Sequence, residues 1–307
     1  MKQENKQLEN KKIVCPNCKS ENTIKWTKRN TENRGLIQRY KCKDCGKTFT
    51  KDDGFFRMRN SPTKITQSID LFYRGVSTRK VQEHLAIFHP HNAPHMSIYN
   101  WVVKYAKMIS KFTDKIKVNN GNEIQLDEME FHRRKEHNKR GVSKDWFVDS
   151  IDCKTRFLLS AEYVKSRGKK EITYAFKETK EKTNNDITIC TTDGFLTYPD
   201  VIKKVFRYYS LKKKEIVHNR VNVSQGEGFN IYIERLHNSI RRRTEGFRGF
   251  HGLIESASSI MKGFTIFYNY IRRHQSLGVC PYELATDLKL KENNRWLGLI
   301  ELSNINN

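Results

Sequence analysis

Acidic residues are scarce in this chain. Its 307 residues hold 34 Asp and Glu against 58 Lys and Arg, a formal net charge of +24. Apolar residues are few, at 36%, and no run of 18 of them occurs, so no segment reads as a membrane-spanning helix. The opening residues, MKQENKQLENKK, lack the apolar stretch of a secretory leader. A soluble, intracellular chain is the expectation. Aromatic residues make up 11%, too many for a disordered polymer. The length suits one large domain or a few small ones. Charge on this scale speaks about partners rather than fold, and nucleic acid leads among them. A lysine-rich solvated surface is the plain alternative. The surplus is uneven: residues 1–120 carry a net +15 and residues 121–307 a net +9. The first part reads as a DNA-holding module. The second keeps more carboxylates, which either serve chemistry or form surface ion pairs.

Seven cysteines occur, and four form two CxxC pairs, Cys15–Cys18 and Cys42–Cys45. Each pair offers two thiolates to one tetrahedral ion, so together they read as a four-cysteine zinc site. Pro16 and Gly46 suit tight turns, and Trp26, Tyr40 and Phe49 are available to cover a small sheet. So short and basic a segment builds no core alone, and zinc would supply its folding energy. Disulfides are the alternative, disfavoured in an intracellular chain. Cys153, Cys190 and Cys280 lie among apolar neighbours and read as core fillers.

Residues 64–112 read as three helices. Ile65, Ile69 and Phe72 share one face of the first, which Gly75 ends. Ser77 caps the second, with Val81, Leu85 and Phe88 inward. After a loop, HPHNAPHM, Ser97 is the expected cap of a third helix carrying Ile98, Trp101, Val102 and Tyr105. The outline is that of a helix-turn-helix DNA reader, or of a plain helical linker. As a reader it would use His95, Tyr99 and Asn100 on bases and Lys104 on phosphate. His89, His91 and His95 are irregularly spaced, which favours solvated loop histidines over a second metal site.

From about residue 121 the pattern turns to strands. Residues 123–131, 146–151 and 156–164 read as strands, 169–182 as a helix, 186–192 as a strand, 198–207 as a helix, 215–218 as a strand and 229–244 as a helix. Three strands, helix, strand, helix, strand, helix is the order of the ribonuclease H-like fold. Asp127 lies inside the first strand, LDEMEF, where an ionised group is costly without a cation. Asp193 ends the fourth, ICTTDG. The first and fourth strands are neighbours in that order, so the two aspartates converge. The last helix supplies a third acid, Glu234, on a polar stripe with Asn230, Asn238 and Arg241 beside the apolar stripe Phe229, Ile233, Leu236 and Ile240. An ion pair within RLHNSIRRR is the plain alternative for Glu234. Glu128 rivals Asp127, and Glu227 rivals Glu234. In-line attack on a phosphodiester is served by two Mg²⁺ ions about 3.5–4 Å apart, and hard cations take carboxylate oxygens.

These residues resemble the insertion-sequence transposases of the DDE type, relatives of retroviral integrases with a ribonuclease H-like catalytic domain. The resemblance spans most of the chain: QRYKCKDCGKTF, ITQSIDLFYRGVSTRKVQEHL, LDEMEF, TTDGFLTYP, FNIYIERLHNSIRRRTEGFRGFHG and FYNYIRRHQSLGVCPYELA. It implies a zinc ribbon over 1–60, a helix-turn-helix domain over 61–118, an α/β catalytic domain over 119–290 and a polar tail over 291–307. It maps the catalytic, metal-holding triad onto Asp127, Asp193 and Glu234. A basic residue follows the family's glutamate by seven, as Arg241 follows Glu234; the interval from Asp193 to Glu234 exceeds the 35 or so common among relatives. Arg241, Arg242 and Asn238 would touch DNA, and His237 would lie near the site. The implied cofactors are two Mg²⁺, with Mn²⁺ as a substitute, and structural Zn²⁺. The implied partners are double-stranded DNA, as terminal inverted repeats and target, and a second copy of the chain or more; no membrane is expected. A prokaryotic cytoplasm, at the nucleoid, is the expected place. Two other readings share these features: a regulator that binds DNA without cutting it, and a nuclease or resolvase without strand transfer.

Overall fold

The computed structural model describes residues 13–32, 34–89, 93–134, 142–184, 187–207, 216–221, 230–247, 250–291 and 293–306. The chain divides into two compact units, residues 1–65 and 66–307.

The first unit is a small antiparallel sheet of β1 (Thr23–Thr31), β2 (Gly35–Cys42) and β3 (Thr48–Thr50). Gly35, at φ 67°, makes the turn between β1 and β2, a conformation that favours glycine. Tyr40 and Phe49 pair across strands with rings 6.0 Å apart. Trp26 does not share in this covering. It is 51% exposed, and Lys41 Nζ stands 4.5 Å over its ring.

The second unit begins with helices. α1 (Pro62–Tyr73), α2 (Thr78–Phe88) and α3 (His95–Thr113) follow the expected order. Ser77 caps α2, its side chain accepting from Lys80 N. Ser97 does not cap α3. The helix starts at His95 because Pro94, at φ −55°, already sets the entry, and Gln82 Oε1 accepts from the His95 amide at 2.8 Å. Ile98, Trp101, Val102 and Tyr105 face inward as the spacing requires.

The sheet that follows matches the ribonuclease H-like pattern. Its strands are β4 (Glu123–Arg134), β5 (Val142–Asp152), β6 (Leu158–Val164), β7 (Ile189–Thr192) and β8 (Val217–Arg220), in the spatial order β6-β5-β4-β7-β8. The first three are antiparallel; β7 and β8 run parallel to β4. α4 (Lys169–Lys182) and α5 (Tyr198–Arg207) lie between these later strands in the chain. α6 (Ile231–Thr244) is followed by β9 (Phe250–His251), which pairs with the far end of β4, and by α7 (Ile254–Ile266). α7 runs on into a π-helical turn over Phe267–Ile271, then α8 (Pro281–Ala285) and α9 (Arg295–Asn306). α9 occupies the stretch expected as a polar tail, and it buries Trp296, Leu299 and Ile300.

Alternation along the strands assigns the faces. Thr179 of α4 bonds to Ser150 and Ser160, so α4 covers one face of β5 and β6. Gln125 of β4 and Asp149 of β5 meet α6, so α6 lies on the opposite face, over β4 and β5. Edge strand β6 is partly closed by Asn269, whose amide donates to and accepts from the backbone of Leu158, both at 2.9 Å. No helix among the described residues is long and apolar enough to cross a membrane.

Candidate functional site

The two cysteine knuckles have the same backbone geometry. The amide of Lys19 donates to the Cys15 carbonyl and that of Gly46 to the Cys42 carbonyl, at 2.9 and 3.1 Å. Cys15 N donates to Ser20 O, and Cys42 N to Lys47 O. Lys19 and Gly46 both turn left-handed, at φ 61° and 70°. All four sulfurs lie within 4.8 Å of one another, with Cys15 and Cys45 3.7 Å apart and Cys18 and Cys42 3.5 Å apart. A tetrahedron of Zn–S bonds near 2.3 Å has edges of about 3.8 Å, so the cluster fits zinc. None of the four is in a disulfide. The Cys18 amide draws the Cys15 thiol down to about 7. The Ser20 amide lowers Cys18, but the neighbouring sulfurs outweigh it and push that thiol up to about 12. Four thiolates therefore need a cation to coexist.

The second cluster arises where β7 stops. Leu126 and Thr192 are the last pair between β4 and β7. The next residue on each strand is an aspartate, Asp127 and Asp193, so the two lie side by side past the end of the ladder. Asp127 points toward the α6 face and Glu128 toward the opposite face, near the Tyr198 hydroxyl of α5. Even so, carboxylate oxygens of Asp127, Glu128 and Asp193 all lie within 4.8 Å of one another. Asp193 Oδ1 accepts from the Phe195 amide at 2.9 Å, and Arg220 donates to the Gly194 carbonyl at 2.7 Å. Together these hold the turn that carries Asp193.

The cluster is short of positive charge. Burial raises the Asp127 carboxyl to about 6, although His237 opposes this. Burial raises Glu128 to about 7, the Tyr198 hydroxyl opposes, and Asp193 and Asp127 add repulsion. Glu128 Oε1 is buried with no hydrogen-bond partner among the described residues. Three half-buried oxygen donors that repel one another suit a hard divalent cation.

Glu234 does not join this group. It is exposed on α6. The side chain that α6 sends toward Asp127 is His237, with Nδ1 3.6 Å from Asp127 Oδ2 and Nε2 2.7 Å from Asp149 Oδ1. Gln125 anchors the start of the same helix. Its Oε1 accepts from the amides of Tyr232 and Ile233 at 2.9 and 3.2 Å, replacing the side-chain cap that Asn230 does not supply. Neither Gln125 nor Asp149 emerges from motif reading. An acid within the apolar strand WFVDSI was the available signal for Asp149.

Asn238, Arg241 and Arg242 are exposed on α6; on α3, Asn100 and Lys104 are exposed and Tyr99 is half-buried. His89 contacts Gln67 Oε1 at 3.3 Å, and neither His89 nor His95 belongs to a metal-binding group among the described residues. His91, Glu227, Phe229 and most of the basic run RRKEHNKR lie outside the described residues.

No protein-family model and no curated protein matches the sequence. A solved structure of the HTLV-2 integrase catalytic core domain, a dimeric form in complex with magnesium, is similar to this chain at 14% identity. The match covers 55% of this chain and 97% of that one, with a TM-score of 0.32.

Proposed function

We propose that the protein is a DDE-type DNA transposase of an insertion sequence. It binds the terminal inverted repeats of its element, cleaves there to free 3′-hydroxyls, and joins those hydroxyls to target DNA. The observation that carries this reading is the pair Asp127 and Asp193, set side by side at the end of the β4–β7 ladder in a ribonuclease H-like sheet. A strongly basic chain that gathers carboxylates at one point suits a metal-assisted reaction on phosphate.

Asp127 and Asp193 would hold the Mg²⁺ pair, or Mn²⁺ in its place, and Glu234, which stands apart from them on α6, would join the set when metal and DNA bind. Bound Mg²⁺ supplies the charge that activates the attacking oxygen and steadies the leaving one. Cleavage and joining are both in-line attacks at phosphorus, so one set of acids serves both. Arg241, Arg242 and Asn238 bind the DNA backbone beside these acids. Tyr99 and Asn100 read the terminal repeat, and Lys104 binds its phosphate. Cys15, Cys18, Cys42 and Cys45 hold a structural zinc. Cutting two ends together calls for at least two copies of the chain on DNA, and the protein works at a prokaryotic nucleoid.

The test is an assay of purified protein with Mg²⁺ and a labelled terminal repeat. Nicking at the repeat end and joined products on a target plasmid are expected. Tight, specific binding with neither product would overturn the enzyme reading in favour of a DNA-binding regulator. Nicks without joined products would point to a nuclease.

A further inference from the structure

His237 and Asp149 form a polar pair inside the sheet–helix layer. Asp149 is 0% exposed and His237 2%. Burying such groups is costly unless they satisfy one another. Asp149 accepts from His237 Nε2 through Oδ1, while its Oδ2 has no hydrogen-bond partner among the described residues. The arrangement follows from register. Asp149 on β5 sits directly opposite Asp127 on β4, so two carboxylates occupy neighbouring positions on one face. The His237 ring stands between them, with Nε2 2.7 Å from Asp149 Oδ1 and Nδ1 3.6 Å from Asp127 Oδ2.

The ring is also held in place from its own side. Ile233, Leu236 and Ile240 bury the inner stripe of α6, and Gln125 caps its first turn from β4. The ring therefore has little freedom to leave. Its second nitrogen meets Asp127 Oδ2, the oxygen on the helix side, whereas Asp127 Oδ1 accepts from the Glu128 amide at 2.8 Å. Asp127 thus has a neighbour at each oxygen, a hydrogen bond at Oδ1 and the His237 ring 3.6 Å from Oδ2.

We propose that His237, oriented by Asp149, is a positioning residue that fixes the Asp127 carboxylate for metal binding. The inference rests on reading Asp127 as a metal ligand. Groups that orient a ligand in this way commonly change metal affinity by about 10–100-fold when removed.

The test measures Mn²⁺ affinity by calorimetry on the zinc-loaded full chain without DNA, alongside thermal melts. Removing His237 alone leaves Asp149 buried and unpaired, so His237→Ala risks misfolding. The paired variant Asp149→Leu with His237→Leu removes both polar groups and keeps the volume apolar. It should melt near the wild-type temperature yet bind Mn²⁺ about tenfold more weakly. A merely structural pair predicts the opposite: once folding is restored, Mn²⁺ affinity is restored too, and that result overturns the inference. Should the paired variant fail to fold, the isosteric Asp149→Asn decides. A weaker Mn²⁺ affinity supports the inference, and an unchanged one overturns it. In cleavage assays, turnover should fall with KM for DNA unchanged. A wild-type protein that binds Mn²⁺ but neither cuts nor joins DNA would refute the proposed function and leave the positioning role standing. A wild-type protein that binds no Mn²⁺ would overturn the inference and leave the proposed function to the cleavage assay.

Discussion

Asp127 and Asp149 face each other in register across β4 and β5, and the ring of His237 stands between their carboxylates. The acid proposed as catalytic is thereby tied to the middle of the sheet rather than to a loop. Substitutions separate the acids proposed to hold metal from those that hold the scaffold.

Asp127→Asn and Asp193→Asn should each lower the cleavage rate on the order of 10³-fold, about 4 kcal/mol of lost transition-state stabilisation. Glu234→Gln should do the same. Glu128→Gln, which removes one of the three gathered carboxylates but none of the proposed triad, should cost about tenfold. Single-turnover rates on a labelled terminal repeat check all four. Full activity in Asp193→Asn would refute the assignment of the site.

Stability without divalent metal should fall as pH rises from about 4 to about 7. The Asp127 and Glu128 carboxyls titrate near 6 and 7 in the folded chain, against ordinary values of 3.8 and 4.5. In that window the folded state binds more protons than the unfolded one, and the slope of stability against pH is negative. Mg²⁺ replaces those protons, so it should raise the melting temperature more at pH 8 than at pH 5. Equal increments at both pH values would contradict the burial of these acids.

Gln125→Ala should destabilise the second unit by about 1–2 kcal/mol, since it leaves two buried helix-start amides without an acceptor. Urea melts measure it. Gln125→Glu should retain much of the stability, because a carboxylate also accepts from both amides and suits a helix N-terminus.

Loss of either knuckle should empty the zinc site. Cys42→Ser should reduce bound zinc from one ion per chain to none by elemental analysis, and residues 13–60 should become open to proteases. Structural zinc contributes on the order of 10 kcal/mol to small domains of this kind, far more than so few buried side chains supply.

Much of this organisation was legible in the chain itself. The bounds of α4 and α5 coincide with those read from spacing, because both helices carry an apolar stripe at helical spacing. Asp127 and Asp193 were legible because an acid within an apolar strand stands out, and because strand order makes neighbours of the first and fourth. Glu128 was legible only as a rival to Asp127. Adjacent residues on a strand point to opposite faces, and only the early end of β7 lets Asp193 reach both. The Gln125 cap was not legible at all, since it joins residues 107 apart in sequence. α3 began before its expected cap because a proline and a glutamine from α2 took over that task. α9 was missed because its buried Trp296, Leu299 and Ile300 are few among polar neighbours.

β7 pairs with β4 only as far as Leu126, and β9 joins the same strand again only at Arg133. Between those points the strand has a notch, and Asp127 and Glu128 lie at its start. Because side chains alternate, one residue gained or lost between Glu123 and Asp127 would exchange the faces of the two acids at a stroke. This short stretch should therefore accept many changes of letter and almost none of length, so that insertions and deletions, more than substitutions, mark the border between active and inactive variants.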